Sequence, residues 1–398
     1  MMHPDPHPPT NNATAARQFK GDAVTLDIVG GGQLAKMTAQ AAAQLGCKVV
    51  VLERNPEFPA ESVAARTLLG DWNSPPSLLE LAESVDVVTL ENEFVDLDAL
   101  AVLEERHELW PSVATMRLIQ DKFIQKQTLT QAGLPIPRMR AVSSAGEVAA
   151  CAADWGYPLL IKARRNAYDG KGNATVRTEA DIDAAWRKLG GDAGNALYLE
   201  EFCPFVKELA VIVTRSCTGE TAVYPVVETQ QHEHVCRTVI APAAVAAEIA
   251  QRAAEIALHA AEAVGAVGSF GVELFLMADG RILVNELAPR VHNSGHYTIE
   301  GCACSQFENH VRAVLGWPLG STALRSPAAM VNLLASGEGS GMPVGLEDAL
   351  RTPGASVHIY GKARASQGRK MGHVTALGTT TGDALAIAQR AAASIRFD

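Results

Sequence analysis

Two glutamates lie in apolar segments that flank a tight turn. Glu273 and Glu286 stand on either side of residues 279–280, an Asp-Gly pair typical of hairpin turns, and Asn285 directly precedes the second glutamate. On paired strands these oxygen ligands can converge on one side, which suits Mg²⁺ bound to nucleotide phosphates. Two isolated acids on a hairpin more often face solvent. The apolar neighbours favour a packed site, where a carboxylate needs a cation.

A lysine and a glycine-bearing loop form the second candidate group. Lys162 ends the apolar segment 158–161, and the loop 168–172 follows with two glycines and one lysine. Such a loop can hold phosphates through backbone N–H groups, although a D-G-x-G sequence alone is usually a hairpin turn. Further along, residues 200–202 could contact an adenine at the end of a strand, and Glu208 could accept hydrogen bonds from ribose hydroxyls.

The stretch 285–296 is dense in polar groups directly after the hairpin acids. It contains Arg290, His292 and Asn293, a combination that an ordinary solvated loop seldom carries. Near the end of the chain, a glycine precedes Lys362, and the hexapeptide GRKMGH adds further basic residues. From the residues alone, both a solvated basic loop and a phosphate site for a second substrate are compatible with this pattern.

A glycine turn near the start of the chain suggests a different function. Residues 30–35 fit the G-x-G-x-x-A dinucleotide fingerprint, and Glu53 lies 23 residues after Gly30. A turn of this kind brings helix N–H groups near an anion, but it can equally make a tight corner. An NAD-dependent oxidoreductase is therefore a rival hypothesis, which leaves the acids and the basic C-terminal residues without a role.

Apolar runs and turn residues predict the elements that position these groups. Residues 24–29, 48–52 and 86–90 resemble buried strands separated by helices, which predicts a parallel sheet in an α/β domain. Residues 115–132 are predicted to form one helix closed by a glycine and a proline. The middle of the chain groups strands together with few helices, which predicts an α+β module.

Composition and charge exclude several classes of protein. A chain of 398 residues is too long for one compact core and suggests two or three domains. Its net charge of −10 argues against nonspecific nucleic-acid binding, and its apolar stretches are too short for a membrane span. Residues 1–22 lack the apolar core of a signal peptide, so we expect a disordered tail and a cytoplasmic protein.

From about residue 24 to the C-terminus, the chain resembles the 5-(carboxyamino)imidazole ribonucleotide synthases of the ATP-grasp superfamily. The resemblance implies an α/β and α+β architecture. A Rossmann-like pre-ATP-grasp domain would span 23–125, an ATP-grasp domain 126–317 with a flap at about 135–206, and a small C-terminal domain 318–398. The strings that carry it, the two most specific first, are NELAPRVHNSGHYT, GRKMGH, GGGQLAKM, DKFIQKQ, AYDGKGN, PFVKELAVIV, GVELF and SQFENHVRAVLG.

The resemblance also implies a reaction. ATP, bicarbonate and 5-aminoimidazole ribonucleotide would give ADP, phosphate and the carboxyamino product, with Mg²⁺ as cofactor, small molecules as the only partners and a homodimer as the assembly. A formyl- or glycine-linking purine ligase of the same superfamily is the nearest alternative. It would share the acids but should lack the GRKMGH ending.

The resemblance assigns site residues to four groups. Those implied at ATP are Lys122, Lys162, Ala167, Tyr168, Asp169, Gly170, Lys171, Gly172, Asn173, Glu200, Glu201, Phe202, Cys203, Glu208, Gln231, Asn285 and Glu286. Those implied at the ribonucleotide are Gln33, Tyr168, Asp169, Lys362, Arg369 and Lys370. Glu273 and Glu286 are implied as Mg²⁺ ligands. Arg290, His292, Asn293 and Lys171 are implied as catalytic residues.

The sequence departs from the family pattern at three places. The first motif usually ends in Gly-Arg, whereas this chain has Ala35 and Lys36. Lys171 stands where the family commonly has arginine, which keeps the charge but loses a bidentate fork. The family's nucleotide-contacting histidine falls at Gln231, and His232 reaches that position only if the register shifts by one residue.

Overall fold

The computed structural model describes residues 23–83, 85–166, 172–232 and 235–397. A parallel sheet comes first along the chain, a four-stranded antiparallel sheet second, and a large sheet last. Among the helices of these residues, none is long and apolar enough to cross a membrane.

The first sheet has five parallel strands in the order β3-β2-β1-β4-β5. Its strands are rich in Val, Leu and Ile, and apolar clusters cover both faces, as helix-covered parallel sheets require. This arrangement confirms the predicted α/β architecture. The strands are β1 (Thr25–Val29), β2 (Lys48–Glu53), β3 (Arg66–Leu69), β4 (Val87–Leu90) and β5 (Leu109–Trp110), with helices α1 (Gln33–Gln44), α2 (Pro75–Ala82) and α3 (Leu97–Glu104).

The prediction of one helix over 115–132 is wrong. The structure has two helices, α4 (Val113–Ile119) and α5 (Lys122–Gln131). The break occurs at Asp121, whose carboxylate accepts hydrogen bonds from the backbone N–H groups of Phe123 at 3.0 Å and Ile124 at 3.2 Å. An aspartate in this capping position starts a new helix. Lys122 therefore stands in the first turn of α5.

The second sheet is antiparallel, with its four strands in the order β6-β9-β7-β8. Helices α6 and α7 pack on it around a separate apolar cluster that includes Ile161 and Trp186. Its elements are β6 (Met139–Val142), α6 (Ala145–Trp155), β7 (Leu159–Ala163), β8 (Asn173–Val176), α7 (Ile182–Lys188) and β9 (Leu197–Glu201).

The large sheet continues from the middle of the chain into its C-terminal part. The strand order is β15-β14-β10-β12-β13-β16-β20-β18, with β11 paired to β10. The pairing of β13 with β16 joins the C-terminal strands to the central ones. The strands of this sheet are β10 (Phe205–Arg215), β11 (Thr221–Val223), β12 (Val227–His232), β13 (Val235–Ala241), β14 (Gly268–Met277), β15 (Ile282–Ala288), β16 (Ala328–Leu334), β18 (Ala355–Ile359) and β20 (Lys370–Leu377). Two short strands, β17 (Gly339–Ser340) and β19 (Arg364–Ala365), pair with each other in a separate two-stranded sheet.

Helices cover this sheet and connect it to the parallel one. The largest apolar cluster lies between α8 and strands β10, β14 and β15. A smaller cluster joins Leu34 and Met37 of α1 to Val291, Phe307 and Tyr360, so α1 packs against two later parts of the chain. The remaining helices are α8 (Ala247–Ala263), α9 (Thr298–Gly301), α10 (Gln306–Val314), α11 (Leu346–Leu350) and α12 (Thr381–Ala392).

Candidate active site

The glycine turn after β1 is occupied by the protein's own carboxylates. Glu53 accepts a hydrogen bond from the Gly31 N–H at 2.9 Å, and Glu91 accepts one from the Leu34 backbone at the start of α1. A Cβ at Gly32 would lie 2.3 Å from the Glu91 carboxylate. Because these acids fill the position of a pyrophosphate, the turn does not favour the dinucleotide hypothesis.

The two hairpin acids face each other across β14 and β15. Glu273 and Glu286 are direct partners in the strand register. Asn285 donates to Glu273 at 3.3 Å, while its own Oδ1 is buried and has no hydrogen-bond partner among the described residues. That oxygen and the two carboxylates are hard donors of the kind that Mg²⁺ prefers. No group of three or more His, Cys, Asp or Glu side chains suited to a metal occurs within the described ranges.

The paired acids differ in protonation. Burial and the adjacent Glu286 raise the pKa of Glu273 to about 7. Burial also acts to raise the pKa of Glu286, but the ammonium of Lys122 outweighs it and holds that pKa at about 2. One acid is thus ionised and paired with a lysine, while the other loses its proton near neutral pH. A divalent cation would favour the ionised form of both.

Three buried charges lie behind the hairpin. Each carboxylate oxygen of Glu200 on β9 contacts one lysine, Lys162 of β7 at 2.8 Å and Lys126 of α5 at 2.8 Å. The Glu200 side chain is only 1% exposed. Both of its oxygens are therefore engaged as counter-ions to the two lysines. Lys122 and Lys162 both act on Glu286 electrostatically, so the lysines surround one region.

The segment after β9 leads into a groove beside β10 and β12. Glu201 is paired with Arg138 at 2.9 Å, Phe202 is exposed and Cys203 is buried. The groove has a volume of about 410 Å³, and Glu208 and Gln231 both line it. Burial raises the pKa of Glu208 to about 7. The groove thus brings Glu208 and Gln231 together, while the residues expected at the adenine precede it along the chain and do not line it.

The polar run after β15 turns back towards the hairpin acids. Arg290 donates to Glu93 at 2.7 Å, and the His292 Nε2 lies 3.5 Å from the Glu273 carboxylate. Burial lowers the pKa of His292 to about 3, so the ring is neutral. Asn293 exchanges hydrogen bonds with Asn332 at 2.9 and 2.7 Å. His292 therefore adjoins a hairpin acid, Arg290 is paired with Glu93 and acts on Glu286 electrostatically, and Asn293 is engaged with β16.

The C-terminal cations lie on the far side of the same region. Lys362 donates to the Lys370 carbonyl at 2.7 Å. The charge of Lys370 acts to lower the pKa of both Glu273 and His292. Arg369 is exposed and donates to the Arg364 carbonyl at 2.8 Å. Gln33 begins α1 and is half-buried.

Part of the predicted phosphate loop lies outside the described residues. These residues are Ala167, Tyr168, Asp169, Gly170 and Lys171. The described end of the loop adjoins Lys162: the Gly172 carbonyl accepts from the Ala163 N–H at 2.8 Å, and Asn173 pairs with Lys162 across β7 and β8.

Sequence reasoning missed several polar residues of this region. Lys126 lies one helical turn after Lys122 in the string DKFIQKQ, so the helical period could have placed the two on one face. Glu91 and Glu93 directly follow the buried strand β4, at the strand end where parallel sheets bind ligands. Asn332 gave no such signal, because it lies inside an apolar strand.

This arrangement of lysines, hairpin acids and an adenine-side groove defines an ATP-grasp enzyme, and family models agree. Residues 127–307 match the ATP-grasp domain, residues 23–120 the ribonucleotide synthetase preATP-grasp domain, and residues 328–387 the phosphoribosylaminoimidazole carboxylase C-terminal domain.

Similarity to individual proteins identifies the family within the ATP-grasp enzymes. The chain is 44% identical to the N5-carboxyaminoimidazole ribonucleotide synthase of Synechococcus elongatus over 88% of each chain. It is 42% identical to the phosphoribosylaminoimidazole carboxylase of Ogataea methanolica, over 89% of this chain but 66% of that longer protein. The Aspergillus clavatus N5-carboxyaminoimidazole synthase, solved with ADP and 5-aminoimidazole ribonucleotide, superposes with a TM-score of 0.85 at 36% identity, over 93% of this chain and 98% of that one. The chain belongs to the N5-carboxyaminoimidazole ribonucleotide synthase family of ATP-dependent ligases.

Proposed function

We propose that this protein carboxylates 5-aminoimidazole ribonucleotide with ATP and bicarbonate, forming the N5-carboxyamino product, ADP and phosphate in purine biosynthesis. The observation that carries the proposal is the pairing of Glu273 and Glu286 across the hairpin, with Lys122 against Glu286 and His292 against Glu273. Arg290 acts on Glu286 electrostatically. The residues proposed to bind the nucleotide and those proposed to act on the carboxylated group thus lie around the same pair of acids.

In the first step, a bicarbonate oxygen attacks the γ-phosphorus of ATP, the bond to the β–γ bridging oxygen breaks, and carboxyphosphate forms as ADP leaves. Lys122 and Lys162 neutralise the phosphates, and the groove at Glu208 and Gln231 holds the nucleoside. The protein contributes mainly position and charge in such a transfer. The fixed ion pairs of both lysines support this role, since their ammonium groups need little reorganisation during the reaction.

The acids and Asn285 fit a Mg²⁺ site. Glu273, Glu286 and the buried Oδ1 of Asn285 would hold the ion. When bound, Mg²⁺ supplies charge neutralisation at the phosphate oxygens.

In the second step, the exocyclic amine of the ribonucleotide attacks the carboxyl carbon of carboxyphosphate, inorganic phosphate leaves as the C–O bond breaks, and the nitrogen gives up a proton. Arg290 would stabilise the developing charge, and the neutral ring of His292 would align the carboxylated group beside it. Lys362, Lys370 and Arg369 would bind the ribonucleotide phosphate, since all three belong to one basic region of the C-terminal part.

The test is ADP release with MgATP and bicarbonate, with and without 5-aminoimidazole ribonucleotide. We expect release to depend strongly on the ribonucleotide and to match the carboxyamino product mole for mole. Release that is indifferent to the ribonucleotide would overturn the acceptor and favour another ATP-grasp purine ligase.

The family resemblance also supports finer points of organisation. We expect a homodimer acting in the cytoplasm, with domains at 23–125, 126–317 and 318–398. Light scattering of the purified protein tests the dimer, because a mass near twice 42.1 kDa is expected.

A further inference from the structure

Lys36 connects two distant parts of the chain. Its side chain leaves α1 and donates hydrogen bonds to the carbonyl oxygens of Ile359 at 3.2 Å and Tyr360 at 3.0 Å. These contacts span more than 320 residues of sequence. Hydrogen bonds from a charged donor are stronger than those between neutral groups, so Lys36 fixes the separation of α1 from the end of β18.

The backbone that Lys36 holds leads directly into the basic turn. Gly361 has a φ of +80°, a conformation that favours glycine, and a Cβ there would lie 3.4 Å from the Lys36 Nζ. The next residue is Lys362, whose Nζ donates to the Lys370 carbonyl and lies 5.7 Å from the centroid of the Tyr360 ring. The position of Lys362 therefore depends on the carbonyls that Lys36 binds.

The other end of the connection lies at the start of α1. Gln33 is three residues before Lys36, so the two lie on neighbouring turns of one helix face. Gln33 is expected at the ribonucleotide, and Lys362 at its phosphate. Lys36 thus joins the two sides of the proposed ribonucleotide site and is anchored to both.

We propose that Lys36 is a positioning residue that sets the distance between α1 and the Lys362 turn, and so tunes affinity for the phosphorylated acceptor. This inference rests on the proposed function of the basic turn. Lys36 stands where the family usually carries arginine, and a guanidinium can also donate to two carbonyls. The proposed role therefore requires a long, positively charged side chain at position 36 that can donate hydrogen bonds to the two carbonyl oxygens.

The test is the steady-state kinetics of Lys36→Met in the full-length protein. We expect the KM for 5-aminoimidazole ribonucleotide to rise about tenfold, since two charge-assisted hydrogen bonds are lost. The KM for ATP and kcat should change less than about twofold. Lys36→Arg should restore the KM for the ribonucleotide. Lys48→Met changes an exposed lysine at the start of β2, the strand that follows α1, and should match the wild type. If Lys36→Met does not fold, Lys36→Gln serves in its place.

Lys362→Ala separates failure of this inference from failure of the proposed site. If Lys362→Ala leaves the KM for the ribonucleotide unchanged, the phosphate site is wrong and the role of Lys36 is lost with it. If Lys362→Ala raises that KM while the Lys36 variant does not, only the positioning role is overturned. If Lys36→Met raises the KM for ATP as much as the KM for the ribonucleotide, the positioning role is also overturned, because a general structural defect would act on both substrates.

Discussion

At the scale of single residues, Glu200 shows how one buried carboxylate stabilises two buried lysines. The side chain is 1% exposed and compensates both Lys126 and Lys162. Glu200→Gln would leave two buried ammonium groups without a counter-charge, and we expect a loss of stability on the order of 3 kcal/mol. The matched control is Glu201→Gln, because Glu201 pairs with an exposed arginine and should contribute less than about 1 kcal/mol. Denaturant unfolding of both variants makes the comparison, and equal losses would contradict it.

Glu208 gives a prediction about pH at the same scale. Burial raises its pKa to about 7, so the carboxylate ionises as the pH passes from 6 to 8. The ionised group only accepts hydrogen bonds, whereas the protonated group presents an O–H donor at one of its oxygens and accepts less well from the ribose hydroxyls. The KM for ATP of the wild type, divided by that of Glu208→Gln, should therefore fall as the pH rises. Titration of ATP itself affects both enzymes and cancels in the ratio. A flat ratio from pH 6 to 8 would remove Glu208 from the ribose site.

At the scale of elements, β1 carries an unusual residue for a central strand. Asp27 is fully buried between Val50 and Val88, and burial raises its pKa to about 9. The unfolded chain loses this proton from about pH 4 upward, whereas the folded protein keeps it until about pH 9. Asp27 therefore destabilises the fold progressively between these values, by up to about 1.4 kcal/mol per pH unit.

The corresponding prediction concerns Asp27→Val. The variant should be more stable than the wild type at pH 8, and its advantage should shrink towards pH 5. Asp27→Asn should lose the same pH dependence without gaining apolar burial. Thermal unfolding across this pH range measures both variants. A constant difference between Asp27→Val and the wild type would show that Asp27 is ionised in the folded protein.

Some secondary-structure elements could be predicted from the sequence and others could not. The hairpin around Glu273 and Glu286 followed from strand and turn residues, because those signals are local. The break at Asp121 was missed, since the apolar pattern continues through it and only the capping bonds divide the two helices. The glycine turn gave an ambiguous signal. Glu91, which fills it, lies far along the sequence, so its contact depends on the pairing of β1 with β4.

At the scale of the whole molecule, the site depends on contacts between separate sheets. Arg290 follows a strand of the large sheet, and its partner Glu93 follows a strand of the parallel sheet. Each side chain is only about one-fifth exposed, at 20% and 21%. A pair of this kind contributes both to docking of the two sheets and to the position of Arg290. Neither contribution can be deduced from local sequence, because the residues lie 197 positions apart.

Glu93→Gln tests this connection between docking and chemistry. The change leaves a largely buried guanidinium without its counter-charge, so we expect a loss of stability on the order of 2 kcal/mol and a fall in kcat. Asp98→Asn provides the control, because Asp98 and Arg117 form an exposed pair 3.7 Å apart whose loss should cost under about 0.5 kcal/mol. Thermal unfolding and steady-state turnover measure the two effects. If stability falls while kcat stays at the wild-type value, Glu93 serves docking alone and Arg290 keeps its position through the backbone of its own segment.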